Sequence, residues 1–143
     1  MTPEEMGRVV EEHFAIEARA DIEGILATFT DDIEHDVVGM PGGPLRGKTA
    51  ARAFYAALTR ELPATDAIPR HRYYGDNLLV DEVVWEARAV GRPFGIEGEG
   101  RPVSVRLLHL FVFRDGRIAR ENLWLDWAAF AAQLGALPAA ALA

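Results

Sequence analysis

The prevailing hydrophobic period of the chain changes near Ile68, and that change restricts the fold more than any other feature. Before it, apolar residues recur at helical spacing; after it they alternate along strands separated by turn residues. Thr2 and Pro3, with Glu5 three residues after Thr2, form a capping-box start, and Met6, Val9, Val10, His13 and Ile16 continue as one face of a first helix. Asp21 can cap a second, shorter helix whose inward face is Ile22, Ile25, Leu26 and Phe29 and which Asp31 and Asp32 close. A short strand over 33–38 follows. Residues 39–44 hold too much glycine and proline for regular structure, and Ala50, Ala51, Phe54, Leu58 and Leu62 carry a third helix up to Pro63. Strands are then expected over 68–74, 78–90, 103–114 and 117–126, with Asp115-Gly116 as a tight hairpin turn and a last helix beginning near Trp127. Short connections make the four long strands an antiparallel meander, with the early helices on one face: an α+β fold.

A length of 143 residues leaves room for one domain, spanning 1–143 and ending in an alanine-rich tail over 139–143 that is expected to fray. With 15 Lys and Arg against 22 Asp and Glu, the net charge of -7 disfavours nucleic acid and anionic membrane as partners. No apolar run is long enough to cross a bilayer, and the first residues lack the pattern of a secretion signal, so a cytoplasmic location is expected. The absence of cysteine excludes disulfides, thiolate ligands and cysteine nucleophiles. Four scattered histidines, His13, His35, His71 and His109, give no metal-ligand spacing. No phosphate-binding loop, dinucleotide fingerprint or serine elbow is present, and neither metal nor organic cofactor is expected.

Strand alternation sorts side chains by face. Val103, Val105, Leu107, His109, Phe111 and Phe113 share one side of their strand; Ala119, Glu121, Leu123 and Leu125 share one side of the next. His109 and Glu121 therefore sit in apolar rows, as His13 does on its helix and Asp36 at the end of its strand. Burial raises a carboxyl pKa and lowers that of imidazole, so such groups can be poised for proton transfer. Each also has a plainer reading: His13 as a satisfied core residue, Asp36 as a turn cap with His35 alternating beside it, Glu121 paired with Arg106 or Arg117. The other face, with Leu108, Leu110 and Trp124 among arginines, is too apolar for a bare solvent face and reads as a homodimer surface.

The order of elements resembles the NTF2-like superfamily, together with the segments Phe29-Thr-Asp-Asp-Ile-Glu-His-Asp36, Gly47-Lys-Thr-Ala-Ala-Arg-Ala-Phe-Tyr55 and Phe113-Arg-Asp-Gly-Arg-Ile118. Within it the chain is similar to the SnoaL-like polyketide cyclases and ketosteroid isomerases. The resemblance covers nearly the whole chain and implies a cone of curved sheet closed by helices around an apolar pocket. It places the isomerases' basic aspartate on Asp36, their two oxyanion donors on His13 and His109, and their supporting tyrosine on Tyr55. An acidic residue of the cyclases falls near Glu121. The Asp, Arg and Asp of the epoxide hydrolases of this fold fall on Val83, Trp85 and Leu123, which argues against that hydrolysis.

These readings lead to an enzyme that abstracts a proton beside a carbonyl of a small apolar, polycyclic or polyketide-like molecule, giving isomerisation or aldol-type cyclisation. Asp36 is expected as the base, His109 and His13 as donors to the enolate oxygen, and Glu121 as a relay. Phe29, His35, Phe54, Tyr55, Trp85, Leu107, Phe111 and Leu123 are expected to hold the substrate. The competing expectations are a module that binds a small ligand without catalysis and a dimer whose own side chains fill the cavity.

Overall fold

The computed structural model describes residues 1–137. The alanine-rich tail lies outside the described residues. Helix α1, Pro3–Glu17, starts on the expected capping box: Thr2 Oγ1 accepts from the Glu5 amide at 3.2 Å and Glu5 Oε2 accepts from the Thr2 amide at 2.7 Å. Asp21 caps α2, Ile22–Thr28, by accepting from the Gly24 amide at 2.9 Å. That helix ends because Phe29 turns extended, at φ -93° and ψ 152°, and opens β1, Phe29–Val37. Asp31 and Asp32 are thus exposed residues of a nine-residue strand rather than the close of a helix, and β1 begins earlier than the apolar pattern suggests.

After the loop come a two-residue strand β2, Leu45–Arg46, which the sequence pattern did not reveal, and α3, Gly47–Glu61. The meander is β3 (Ala64–Gly75), β4 (Leu78–Ala89), β5 (Arg101–Arg114) and β6 (Arg117–Leu125). A single 3₁₀ turn, Pro93–Gly95, interrupts the glycine-rich connection before β5, and α4 runs Trp127–Gln133. Asp115 and Gly116 both adopt positive φ, 52° and 75°, the backbone that a tight hairpin with right-handed twist requires. The curved sheet has the order β2-β1-β6-β5-β4-β3. Every pair is antiparallel except β1 with β6, so the strand that follows the first helices lies beside the last strand of the chain.

Helices α1, α2 and α3 cover the concave face. Buried apolar residues form two clusters there. One gathers Met6, Val10, Ile25, Phe29, Ile33, Phe111, Phe113 and Ile118 between α1, α2 and the sheet. The other gathers Leu62, Val83, Ala87, Val103, Val105, Leu107 and Phe130 toward α4. Asp81, buried on β4, receives Nε and Nη2 of Arg72 on β3 at 3.0 and 3.3 Å, and Nη1 of Arg72 reaches Glu11 at 3.1 Å. This ion set fastens α1 to the far edge of the sheet.

Helix α4 is fastened in turn where Trp127 Nε1 donates to the Val38 carbonyl at 2.7 Å. Gly39, at φ 94°, makes room for that indole, because a Cβ there would stand 2.8 Å from Nε1. On the convex face Leu108 and Trp124 are register partners, 39% and 40% exposed, on the surface where the sequence places a dimer contact.

Candidate active site

Between the second cluster and the helices lies a cavity of about 350 Å³. Its walls are mostly apolar: Phe54 and Leu58 from α3, Val83 and Trp85 from β4, Leu107 from β5, Leu123 from β6, Phe94 from the 3₁₀ turn. The polar side chains on its wall are His35, Tyr55, His109, Glu17, Glu121, Thr65 and Asp66. Of these, His35, Tyr55, His109 and Glu121 are buried.

Sheet register brings the buried groups together. His35 on β1 is the partner of Glu121 on β6, and Glu121 is in turn the partner of Phe111 on β5. His109 lies two residues from Phe111, on the same side of β5. Ala119 takes no partner, since Ile118 pairs with Phe113 and Arg120 with Val112. Because of this bulge Ile118 and Glu121, three residues apart, both face inward.

Tyr55, on the inner face of α3, donates its hydroxyl to Glu121 Oε2 at 3.0 Å and stands 3.4 Å from His13 Nε2. The other nitrogen of His13 is 2.9 Å from Thr28 Oγ1, whose own hydrogen goes to the Ile25 carbonyl at 2.6 Å. Thr28 must therefore accept, His13 Nδ1 carries the hydrogen, and Nε2 is a bare lone pair facing the carboxyls. Glu121 Oε2 is 3.7 Å and Glu17 Oε2 4.0 Å from that nitrogen.

Burial sets the charge state of the group. It pushes Glu121 up to about 8, helped by the charge of Glu17 and opposed by the Tyr55 hydrogen bond. Glu17 is raised to about 7 by burial. Burial lowers His13 to about 3, with further lowering by His109 and His35. His109 falls to about 3 through burial and the nearness of His35, and His35 to about 4 through burial. At neutral pH the three imidazoles are neutral and Glu121 is largely protonated. Nδ1 of both His35 and His109 is buried without a hydrogen-bond partner.

The structure corrects several placements. Asp36 is not on the cavity wall; it shares the opposite face of β1 with Glu34 and accepts from Asn122 Nδ2 at 3.2 Å. The inward row of β1 is Ile33, His35 and Val37, so His35 holds the position expected for Asp36. Phe29 and Phe111 are fully buried in the first cluster, behind the wall. His13 stands behind it too, reaching the cavity only through Tyr55 and Glu121. Glu121 bonds to Tyr55 rather than to Arg106, whose partner is Glu82. His35, Phe54, Tyr55, Trp85, Leu107, His109, Glu121 and Leu123 do line the cavity, and Val83, Trp85 and Leu123 meet it with apolar groups. Sequence reasoning missed Phe14, Glu17, Leu58, Phe94 and Phe130. For Glu17 the signal was helical spacing, four residues after His13; for Phe14, next to His13, and Phe94, in an irregular segment, there was none.

A curved, mostly antiparallel sheet folded over helices around an apolar cavity is an α+β fold of the NTF2-like kind. More narrowly, the chain belongs to the SnoaL-like domain family, whose model matches residues 10–121. No curated protein matches the sequence significantly. Among solved structures it is similar to a proposed SnoaL-like polyketide cyclase from Jannaschia sp. CCS1, with 19% identity, TM-score 0.83, and 96% of this chain and 98% of that one covered. TsrD from Streptomyces laurentii gives 22% identity and TM-score 0.79 over 96% and 99%. A proposed isomerase from Rhodopseudomonas palustris gives 19% and 0.77 over 93% and 97%. At these identities the likeness shows the fold.

Proposed function

We propose that the protein is a cofactor-independent enzyme that moves a proton α to a carbonyl of a small, uncharged, largely apolar molecule, leading to isomerisation or aldol-type cyclisation. The observation that carries this reading is the buried Glu121 carboxyl, facing an apolar cavity and bonded to Tyr55, with its pKa lifted to about 8. A group poised near the working pH serves equally as base and acid. Glu121, rather than Asp36, is the base in this reading: its carboxylate takes the α-proton, Tyr55 holds it in place, and it returns the proton to another atom of the substrate.

The developing enolate needs donors. An unpartnered buried nitrogen costs less as a bare lone pair than as an orphaned N–H, which places the hydrogens of His35 and His109 on Nε2. Two neutral imidazole donors on a mostly apolar wall stabilise a negative oxygen without the cost of burying a cation. Trp85, Leu107 and Leu123 offer flat apolar surface to the rest of the substrate.

The test is deuterium uptake from D2O into a panel of apolar ketones and enones. Glu121→Gln is expected to slow uptake by roughly 10²- to 10⁴-fold, the range of a positioned acid-base group, while Asp36→Asn leaves it within about twofold. The wild-type rate should rise with pH through about 8, as Glu121 ionises. Compounds that bind without exchanging in any variant would overturn catalysis and favour a ligand-binding module.

A further inference from the structure

Glu17 is the last residue of α1, a place where a carboxylate earns nothing from the helix. The exposed carbonyls of that end repel negative charge, and no basic residue occupies the last turn. Nor, among the described residues, does Glu17 make a close ion pair with a lysine or arginine; its near neighbour is His13. What it does have is position: its side chain is 17% exposed, whereas that of Glu121 is 3% exposed. It lines the wall of the main cavity and also a small adjoining pocket of about 40 Å³ beside the ends of α1 and α3. Between these two carboxyls sits His13 Nε2, left without a hydrogen by the Thr28 bond and 3.4 Å from the Tyr55 hydroxyl.

Resting on the assignment of Glu121 as the proton-transfer group, we propose that Glu17 exchanges the proton of Glu121 with water, through the Tyr55 hydroxyl and Nε2 of His13. The steps balance without any added reagent. Once Glu121 has taken a proton from carbon, its O–H donates to the Tyr55 oxygen, and the Tyr55 hydrogen passes to His13 Nε2. The imidazolium so formed gives that same hydrogen to the Glu17 carboxylate, and Glu17 releases it to water. His13 and Tyr55 end as they began, Glu121 is again a carboxylate, and one proton has left the cavity.

The low basicity of the buried His13 ensures that it passes the proton on instead of keeping it. The last gap, 4.0 Å, is of ion-pair length, and the partial exposure of Glu17 leaves its carboxyl room to close it. The titratable groups around the path are His13 and Glu17 on α1, His35 on β1, Tyr55 on α3, His109 on β5 and Glu121 on β6. None of them is a permanent cation, so no fixed positive charge traps the proton on its way.

Two measurements on the intact chain test this. In the first, Glu side chains carrying ¹³C at Cδ are titrated by NMR in wild type, Glu17→Gln and Glu121→Gln. Two mutually dependent steps are expected in wild type, and a downward shift of the Glu121 step in Glu17→Gln, since the neighbouring charge that raises it is gone. A Glu121 step indifferent to Glu17→Gln overturns the proposal.

The second measurement is deuterium uptake into a ketone at low buffer. Glu17→Ala should lose roughly 10²-fold in solvent exchange, the lower end of what a positioned proton-transfer group contributes, and added formate should restore it. Loss without rescue, or no loss, assigns Glu17 a structural role and overturns the path. Failure of wild type to exchange any ketone would instead strike the assignment of Glu121, and the titration still decides the coupling to Glu17. Removing a carboxylate from the C-terminal end of a helix does not endanger folding, and circular dichroism of both Glu17 variants checks it.

Discussion

The two ends of the concave face are built from similar apolar residues, yet one is solid and the other hollow. At the solid end, Phe29, Phe111 and Ile118 are wholly buried and aromatic rings close the space, with Phe111 5.9 Å from Phe14 and stacked on His109 at 5.5 Å. At the hollow end the sheet presents Val83, Val105 and Leu107, the facing positions 64 and 67 of β3 are alanine, and the volume is left to the cavity. The difference teaches that packing quality here is a positional choice. The dense end packs α1 against β1 and β5, and the buried ionisable groups His35, Tyr55, His109 and Glu121 stand at its boundary with the cavity.

Substitutions can break that contrast. Phe111→Ala is expected to cost about 3–5 kcal/mol in chemical denaturation, because the void it leaves is enclosed on all sides, and Leu107→Ala, beside space that is already open, only about 2 kcal/mol. Equal costs at the two ends would mean that the cavity collapses in solution. Val83→Phe reverses the experiment by filling the hollow end. It should change stability by within about 1 kcal/mol, since the ring enters open volume where a packed core would charge about 1–3 kcal/mol, and it should abolish ligand binding measured by calorimetry.

The smallest effect concerns pH, and it sharpens the boundary between the two ends. The folded pKa of Glu121 and Glu17 lies above that of a free carboxyl, so their contribution is complete below about 4.5 and is lost as pH rises through about 7 and 8. His13, His35 and His109 are lowered, so theirs is complete above 6.5 and is lost as pH falls toward about 3–4. Three histidines outweigh two carboxyls on the acid side, and only the carboxyls act above 6.5. The thermal midpoint should therefore peak near pH 6.5, and Glu121→Gln should flatten the alkaline slope; a midpoint that climbs from pH 6.5 to 8 would contradict the buried acid.

Much of the fold was legible because local chemistry and tertiary need agree. The capping box at Thr2, the Asp21 cap and the turn at Asp115-Gly116 all form where the residues ask for them. Alternation placed His109 and Glu121 inward correctly. In β1 the apolar row Ile33, Val37 pointed to His35, but the resemblance drew attention to Asp36, one residue away and on the other face. Phe29 and Phe111 could be recognised as buried, yet no local pattern says whether a buried ring borders a void. Leu58 and Phe94 meet the cavity only through the packing of α3 against a single 3₁₀ turn, a relation between distant segments that periodicity does not carry.

The parallel pairing of β1 with β6 also dictates when the cavity can exist. Asp36 and Asn122 are register partners although 86 residues separate them. On the ribosome, His35 and Tyr55 emerge long before Glu121, and until β6 arrives β1 has only the two residues of β2 beside it. The hairpins of β3, β4 and β5 can close locally as they are made, whereas the floor of the cavity waits for the last strand. A nascent chain thus has most of its cavity wall before Glu121, which joins that wall in the same event that completes the sheet.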